Sequence, residues 1–392
     1  MTNRRILASC LGLLSCLAAD AGAQGNVSGQ GFGYPTGQLS PRGLATGGGV
    51  AEIDPQGATN PAAVMLWGAH VLFGQYDPEF RTVDVPGAER TRTMTARFPG
   101  VGVSFRFGER VAAGLNASTY LDRTWSTSFE SDQVVGDDTV TSTTTYASDG
   151  SISDLRIALA YGVTSSFSLG LAGHVFSGEH RVTHRQAFPD SVRFAGVFER
   201  SDVNYAGLAV SGGFETRLGR LWQLGGSARY GGDITSEVND STLSRARIPN
   251  RYGASVAYHG IEGATLSLRG AFEEWSSLNG LGTSAVTTFD AWDFGGGADI
   301  SGPRFGQRLI TLRAGARHRT LPFGAGGRKV NETSFSGGFS VPVSLDRATL
   351  DVGFARASRK AEQLAFPNGS AASVLDVRET GYILSIGIRV RP

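Results

Sequence analysis

Three observations predict an all-β chain, a transmembrane antiparallel up-and-down β-barrel of about fourteen strands. Apolar residues recur at every second position over long segments. The connections between those segments alternate between short and long. An export signal precedes them all.

The export signal comes first in the chain. Arg4 and Arg5 form a short basic segment. Ile6 to Ala19 is apolar and rich in Leu, and Ala21-Gly22-Ala23 puts small residues where a signal peptidase reads. This pattern marks residues 1–23 as a signal peptide and Gln24 as the start of the mature chain. Arg4-Arg5 also admits a twin-arginine signal, but the following residues fit that poorly, and a barrel crosses the inner membrane unfolded. Leu13-Leu14-Ser15-Cys16 resembles a lipoprotein cleavage box, so lipidation at Cys16 stays open as an alternative. Cys10 and Cys16 are the only cysteines. A mature chain beginning at Gln24 therefore has no disulfide, thiol nucleophile or Cys-based metal site.

No apolar run of about 18 residues follows, so no membrane helix is expected. The dominant pattern is instead alternation. Ala264, Leu266, Leu268, Gly270 and Phe272 face one way, and Thr265, Ser267, Arg269, Ala271 and Glu273 the other. Trp222 to Tyr230, Ile310 to Arg317 and Gly381 to Val390 alternate in the same manner. Such a period means strands with one apolar and one polar face. A soluble sandwich alternates too, but its strands average only about five or six residues. Nor could its core bury Arg156, Arg229, Arg269, Arg313 and Arg317, whereas a wet lumen can.

Strands are expected at 62–76, 91–107, 110–124, 151–163, 166–184, 197–218, 221–236, 245–259, 262–275, 286–300, 307–320, 329–343, 347–360 and 376–391. The connections after even strands are tight, such as Gly108-Glu109, Thr164-Ser165 and Gly219-Arg220. Those after odd strands are longer and polar, most of all 125–150 and 361–375. That is the outer-membrane pattern, with short periplasmic turns and long outer loops. An even strand number then leaves both termini in the periplasm. Phe107, Tyr161, Phe167, Phe214, Trp222 and Tyr258 are placed for the periplasmic aromatic girdle. Tyr76, Tyr120, Trp125, Trp275 and Trp292 are placed for the outer one.

The mature chain is charge-balanced, because the signal removes Arg4, Arg5 and Asp20 from 36 basic and 35 acidic residues. This argues against a nucleic-acid partner. Lys329 and Lys360 are the only lysines. Arg suits bidentate pairing with carboxylates inside a barrel, although a GC-rich coding sequence gives the same bias. Arg156, Arg229, Arg269, Arg313 and Arg317, with Glu215, Glu273, Asp299 and Asp351, are expected to face the lumen. Opposite charges on neighbouring strands fix the wall; they also suit steering of a carboxylate-bearing ligand.

Residues 24–61 lack alternation and are rich in Gly and Pro. They read as a disordered tail or as a compact plug in the barrel mouth. In the second reading Gly43 to Val50 passes close to the wall, since Gly needs no side-chain room.

One stretch bears on that choice. Arg42-Gly43-Leu44-Ala45-Thr46-Gly47-Gly48-Gly49-Val50-Ala51, then Asp54, then Asn60-Pro61-Ala62, resembles the N-terminal hatch of the long-chain fatty-acid transporter (FadL/TodX-like) outer-membrane family. Ile248-Pro249-Asn250-Arg251-Tyr252 resembles a further family feature. Asp54-Pro55-Gln56-Gly57 departs from the usual acidic-acidic-Ala pattern, and the chain ends Val390-Arg391-Pro392 rather than on an aromatic. The resemblance implies fourteen strands, a hatch at 24–61 and a barrel over 62–392. It implies diffusion-driven uptake of hydrophobic compounds, fatty acids or aromatic hydrocarbons, with lateral exit where the third strand kinks. Gly114, Leu115 and Asn116 are the kink candidates. The implied partners are outer-membrane lipid, a hydrophobic ligand and the barrel-assembly machinery.

Little in the sequence points to catalysis. His180 and His184 share a strand face but lie four residues apart, or about 13 Å, too far to share a metal. No Ser has Gly two residues before and two after it, so the nucleophile elbow is absent. Gly295-Gly296-Gly297 lacks the Lys and helix of a phosphate loop. His318 is an outward histidine without a legible Ser partner. No catalytic residue, metal or cofactor is expected. The alternatives to a transporter are a secretion-associated scaffold barrel of the same family and a polar-solute porin.

Overall fold

The computed structural model describes residues 32–84, 90–135, 138–281, 286–325, 328–344, 347–365 and 373–392. The signal peptide, Cys16 and residues 24–31 of the expected hatch lie outside them.

Alternation builds the wall as expected. Fourteen strands form a closed antiparallel barrel. They are β1 (Val71–Asp84), β2 (Thr91–Phe107), β3 (Val111–Asp122), β4 (Asp138–Gly162), β5 (Phe167–Ala187), β6 (Val197–Leu218), β7 (Trp222–Val238), β8 (Arg251–Ile261), β9 (Ala264–Glu273), β10 (Ala291–Phe305), β11 (Arg308–Leu321), β12 (Val330–Ser344), β13 (Ala348–Ala365) and β14 (Ser373–Val390). β14 closes the ring on β1, from Arg378 opposite Asp84 to Val390 opposite Leu72. Closure pairs the first and last strands, which would otherwise be open edges.

The two faces follow the period. On β5, Leu169, Leu171 and Val175 are exposed, while Ala172, His174 and Phe176 are buried. On β11, Arg313, Arg317 and Arg319 are buried and Leu312 is exposed. The tight turns use glycine where the chain must go left-handed: Gly219 has φ 63° and Gly263 φ 73°.

Five segments differ from expectation, among them 286–300, where Val286–Thr288 pairs with Phe323–Ala325 in a separate two-stranded sheet and β10 starts only at Ala291. The first strand starts at Val71 rather than 62, because Pro61–Leu66 is a 3₁₀ helix. Its start is set by Asn60, whose Oδ1 accepts from the Ala62 amide at 3.0 Å, and by Pro61 at the first helical position. Its alternating Ala62, Val64 and Leu66 imitate a strand. Residues 125–150 are no loop: Trp125–Val135 pairs with the outer part of β4, from Val135 opposite Asp138 to Trp125 opposite Ser148. The sequence hid this hairpin because its Ser/Thr-rich faces are both polar. The strand expected at 245–259 is two pieces, Ser241–Arg247 against β7 and β8 from Arg251. They are parted at Pro249, which has no N–H to donate. Finally, β9 ends at Glu273 and Trp275–Leu281 is a 3₁₀ turn.

One place in the wall is irregular. The β2–β3 ladder runs from Phe107 opposite Val111 to Val101 opposite Ala117 and stops. The β1–β2 ladder continues to Val83 opposite Thr91. On its other side β3 slips register against β4 between Thr119 and Leu121. The outer end of β3 finds a different partner: Tyr34 pairs with Asp122 and Pro35 with Leu121, antiparallel. The Thr36 amide continues this pairing to the Tyr120 carbonyl at 3.3 Å.

Candidate functional site

Residues 32–67 lie against inward-facing side chains around the ring. Local signals shape this segment. Ser40 caps the helix Pro41–Ala45, accepting from the Gly43 amide at 2.9 Å. Asp54 accepts from the Ser40 hydroxyl and from the Gln56 amide at 3.2 Å. Asn60 Nδ2 donates to the Glu52 carbonyl at 2.7 Å and to the Phe214 carbonyl of β6 at 2.9 Å. Pro61 and Ala62 press on β5 at Gly170, where a Cβ would overlap them.

Two buried charge clusters hold this segment to the wall. In the first, Tyr34 sits among Arg81, Arg319 and Arg359, whose guanidinium carbons lie 5.0, 4.9 and 4.7 Å from its ring centre. Its hydroxyl accepts from Arg319 and Arg359. Arg359 also bonds Glu332 at 2.6 Å, Glu79 at 2.9 Å and Glu379. Among the described residues three cations face three carboxylates, and the bonds are charge-assisted.

In the second cluster, Glu52 accepts from Arg251 and from the Ser227 hydroxyl at 2.6 Å. Arg269 lies 3.6 Å away. Burial works to raise the Glu52 carboxyl, and the field of Arg251 and Arg269 outweighs it, leaving the group below its ordinary value. Arg269 and Arg317 share Asp293 at 2.6 and 2.7 Å. Further toward the short turns, Arg42 and Arg313 share Asp299, each at 2.6 Å.

Beyond these clusters, on the side of the long connections, lies a packed apolar cluster. Phe32, Tyr120, Leu121, Ile152, Phe176, Trp275 and Phe323 are all nearly inaccessible there. Their rings form a continuous row. Phe32 to Phe323 is 4.5 Å, Phe323 to Trp275 5.6 Å, Trp275 to Tyr120 5.3 Å and Tyr120 to Phe176 4.9 Å. Tyr120 and Trp275, assigned to the outer girdle from their sequence positions, thus face inward and join this cluster. Below it a narrow cavity of about 40 Å³ is lined by Gln38, Tyr120, Trp275, Arg251, Arg269 and Arg319, among others.

Asp154, His174 and Ser211 lie in line beside this cluster. His174 Nδ1 is 2.9 Å from Asp154 and Nε2 2.8 Å from the Ser211 hydroxyl. Gln38 completes the set, donating to Asp154 at 2.9 Å and to Ser118 at 2.8 Å. Ser211 is buried in a regular strand opposite Arg229, without the exposed turn a serine nucleophile needs. The arrangement ties Gln38 of the N-terminal segment to four strands, β3 and β4 directly and β5 and β6 through His174.

Of the charges read from the sequence, Arg156, Arg229, Arg269, Arg313, Arg317, Glu215 and Asp351 are buried. Glu273 is 3.3 Å from Arg251, and Glu215 accepts from Gln223 at 3.0 Å. Arg156 donates to the Gly57 carbonyl at 3.2 Å. Gly114, Leu115 and Asn116 are paired on both sides, to Ser104, Val103 and Gly102 and to Ala158, Ile157 and Arg156. The break in β3 lies beyond them, past Ala117. Sequence reasoning missed Tyr34, Glu52, Arg123, Arg251, Arg319, Arg359, Glu79, Glu332 and Glu379. The strand residues among them share the parity of the arginines it found. Tyr34 and Glu52 carried no periodic signal.

No family model and no curated protein sequence matches the chain. Solved structures do. A Pseudomonas aeruginosa FadL homologue matches with a TM-score of 0.64 and 14% identity, covering 92% of this chain and 99% of the other. The Ralstonia pickettii toluene transporter TbuX gives 0.57 and 16%, covering 91% and 98%. The Pseudomonas putida toluene transporter TodX gives 0.56 and 12%, covering 90% and 98%. At these identities the likeness is one of fold: the chain has the FadL-like barrel fold.

Proposed function

We propose that this FadL-like barrel is a bacterial outer-membrane channel for diffusion-driven uptake of hydrophobic compounds. Residues 24–67 act as its hatch, and a lateral exit lies between β2 and β3. One observation carries the reading. Tyr120 and Leu121 belong both to the apolar cluster, read here as the ligand chamber, and to the stretch of β3 that has left β2. A molecule in the chamber therefore touches the same strand segment that borders the break. It has a route to lipid that avoids the charged clusters below, where apolar cargo gains nothing.

The polar ties between residues 34–62 and the wall support closure of the lumen to water and small solutes. Transport then needs neither catalysis nor a cofactor; partitioning into the chamber and the gradient supply the drive. The fold relatives described as toluene transporters support the same cargo class. The short turns face the periplasm, and both termini follow. The partners are outer-membrane lipid, a hydrophobic ligand and, during biogenesis, the assembly machinery.

The test uses vesicles with a lipopolysaccharide outer leaflet, which slows hydrophobic entry. The reconstituted mature chain should speed entry of a fluorescent long-chain acyl probe and leave glucose excluded. Entry of glucose would make it a porin. Passage of neither would favour the scaffold reading.

A further inference from the structure

Most of the arginines described above point into the lumen; Arg356 points out. It alternates with Phe354 and Ser358 on the outward side of β13, and all three are exposed. Its cross-strand neighbours are Phe335 on β12 and Tyr382 on β14, both exposed as well. Strand rise and tilt put Arg356 about 20 Å from the short turn before Ala348, near the far edge of an apolar band about 25 Å tall. An arginine on the lipid face is costly unless its head reaches a polar partner.

Three further cations gather beyond it on the same face. Lys360 follows on β13, Arg378 lies opposite Lys360 on β14, and Arg92 lies on β2 opposite Thr82. All three are exposed. None of the four cations has an ion pair among the described residues. Asp84, opposite Arg378, is bonded to Arg90 at 3.2 Å. Glu362 and Asp376 come only further out along β13 and β14. Elsewhere on the rim the cations are matched: Arg181 and Arg200 share Asp202 at 3.1 and 2.8 Å.

A row of hydroxyls crosses the same face. Thr333, Ser358, Thr380 and Thr82 each lie opposite the next. His318 on β11 ends the row, its Nδ1 2.8 Å from the Thr333 hydroxyl. Rings thus give way to hydroxyls and then to unmatched cations over a few strand residues. A free phosphate would make no use of the rings. A phospholipid with one phosphate would leave most of the cations unmatched. An acylated sugar that carries more than one phosphate meets every level, and Arg binds phosphate through paired, charge-assisted bonds.

We infer that the outward face of β11 to β14, β1 and β2 binds the lipid A part of lipopolysaccharide, with Arg356, Lys360 and Arg378 on its phosphates and Phe335, Tyr382 and Phe80 against its acyl chains. The inference rests on the orientation given in the transport reading, which puts the long connections outside, and on nothing about cargo. Arg92 belongs to the part of β2 that β3 has left, so the bound glycolipid borders the proposed exit.

The mature protein in dodecyl maltoside is mixed with bisphosphoryl lipid A, monophosphoryl lipid A or phosphatidylglycerol, and retained lipid is read by native mass spectrometry. The wild type should hold bisphosphoryl lipid A about tenfold more tightly than phosphatidylglycerol, the equivalent of one strong charge-assisted contact. Monophosphoryl lipid A should fall between them. The triple variant Arg356→Gln, Lys360→Gln, Arg378→Gln should lose the preference, whereas Arg181→Gln with Arg200→Gln should keep it. Equal retention of the three lipids by the wild type, or equal loss in the two variants, would overturn the inference and leave the transport reading standing. Passage of glucose in the vesicle assay would overturn the transport reading and leave lipid A binding untouched. If the triple variant fails to show the heat-modifiable mobility of an assembled barrel, the wild-type preference decides.

Discussion

The Tyr34 hydroxyl donates to Glu332 Oε2 at 2.9 Å, joining residues 298 apart in the chain. The same oxygen accepts from Arg319 and Arg359. Tyr34→Phe keeps the ring under its three arginines and removes the hub. A buried hydroxyl between charged partners is worth about 1–3 kcal/mol. Hydrogen exchange over residues 34–67 should speed up accordingly, with β11 to β14 unchanged. Equal exchange in the two proteins would mean that Tyr34 does not hold the segment.

Glu52 gives a pH prediction. Its carboxyl lies below its ordinary value of 4.5, since burial raises it less than Arg251 and Arg269 lower it. A group depressed on folding stabilises fully above its unfolded pKa, and that stability is lost as pH falls through the folded value. Protease access to the 40–60 stretch should therefore stay flat between about pH 5 and 8 and rise only in stronger acid. Glu52→Gln should raise access at neutral pH, costing about 3 kcal/mol because two buried arginines lose a partner. An acid response identical in Glu52→Gln and wild type would assign it to another group.

Gly315 on β11 faces Thr46 and Gly47 so closely that a Cβ would overlap their backbone. Gly315→Ala should force the segment off the wall at a cost of about 1–3 kcal/mol. The expected sign is a lower unfolding temperature. Gly337→Ala is the control, since a Cβ there meets only the Arg313 carbonyl at 3.4 Å.

Phe32 occupies chamber volume that cargo would need. Phe32→Ala should raise the affinity for an apolar probe several-fold, because the ligand no longer displaces a buried ring worth about 2 kcal/mol or more. Weaker binding in the variant would make Phe32 part of the ligand's wall instead.

Much of this molecule was readable from period and parity. The lumen contacts, however, do not follow from period: the alternation that put Arg269, Arg313 and Arg317 on the polar face says only which way they point. It cannot say that Arg269 reaches Glu52 while Arg156 reaches the Gly57 carbonyl, because those pairings depend on where residues 32–67 settle. Tyr120 and Trp275 show the same limit. Position near a strand end suggested a girdle, but the bend in β3 and the 3₁₀ turn after β9 carried both rings inward. The outer hairpin at 125–148 was missed because strands clear of the membrane have no apolar face to betray them.

The most direct test of the account compares the intact mature chain with a deletion of residues 24–58, both in lipopolysaccharide-faced vesicles. The intact chain should pass the acyl probe and exclude glucose, and the deletion should admit glucose. Glucose exclusion by both proteins would contradict the account, since the segment would then not be what closes the lumen.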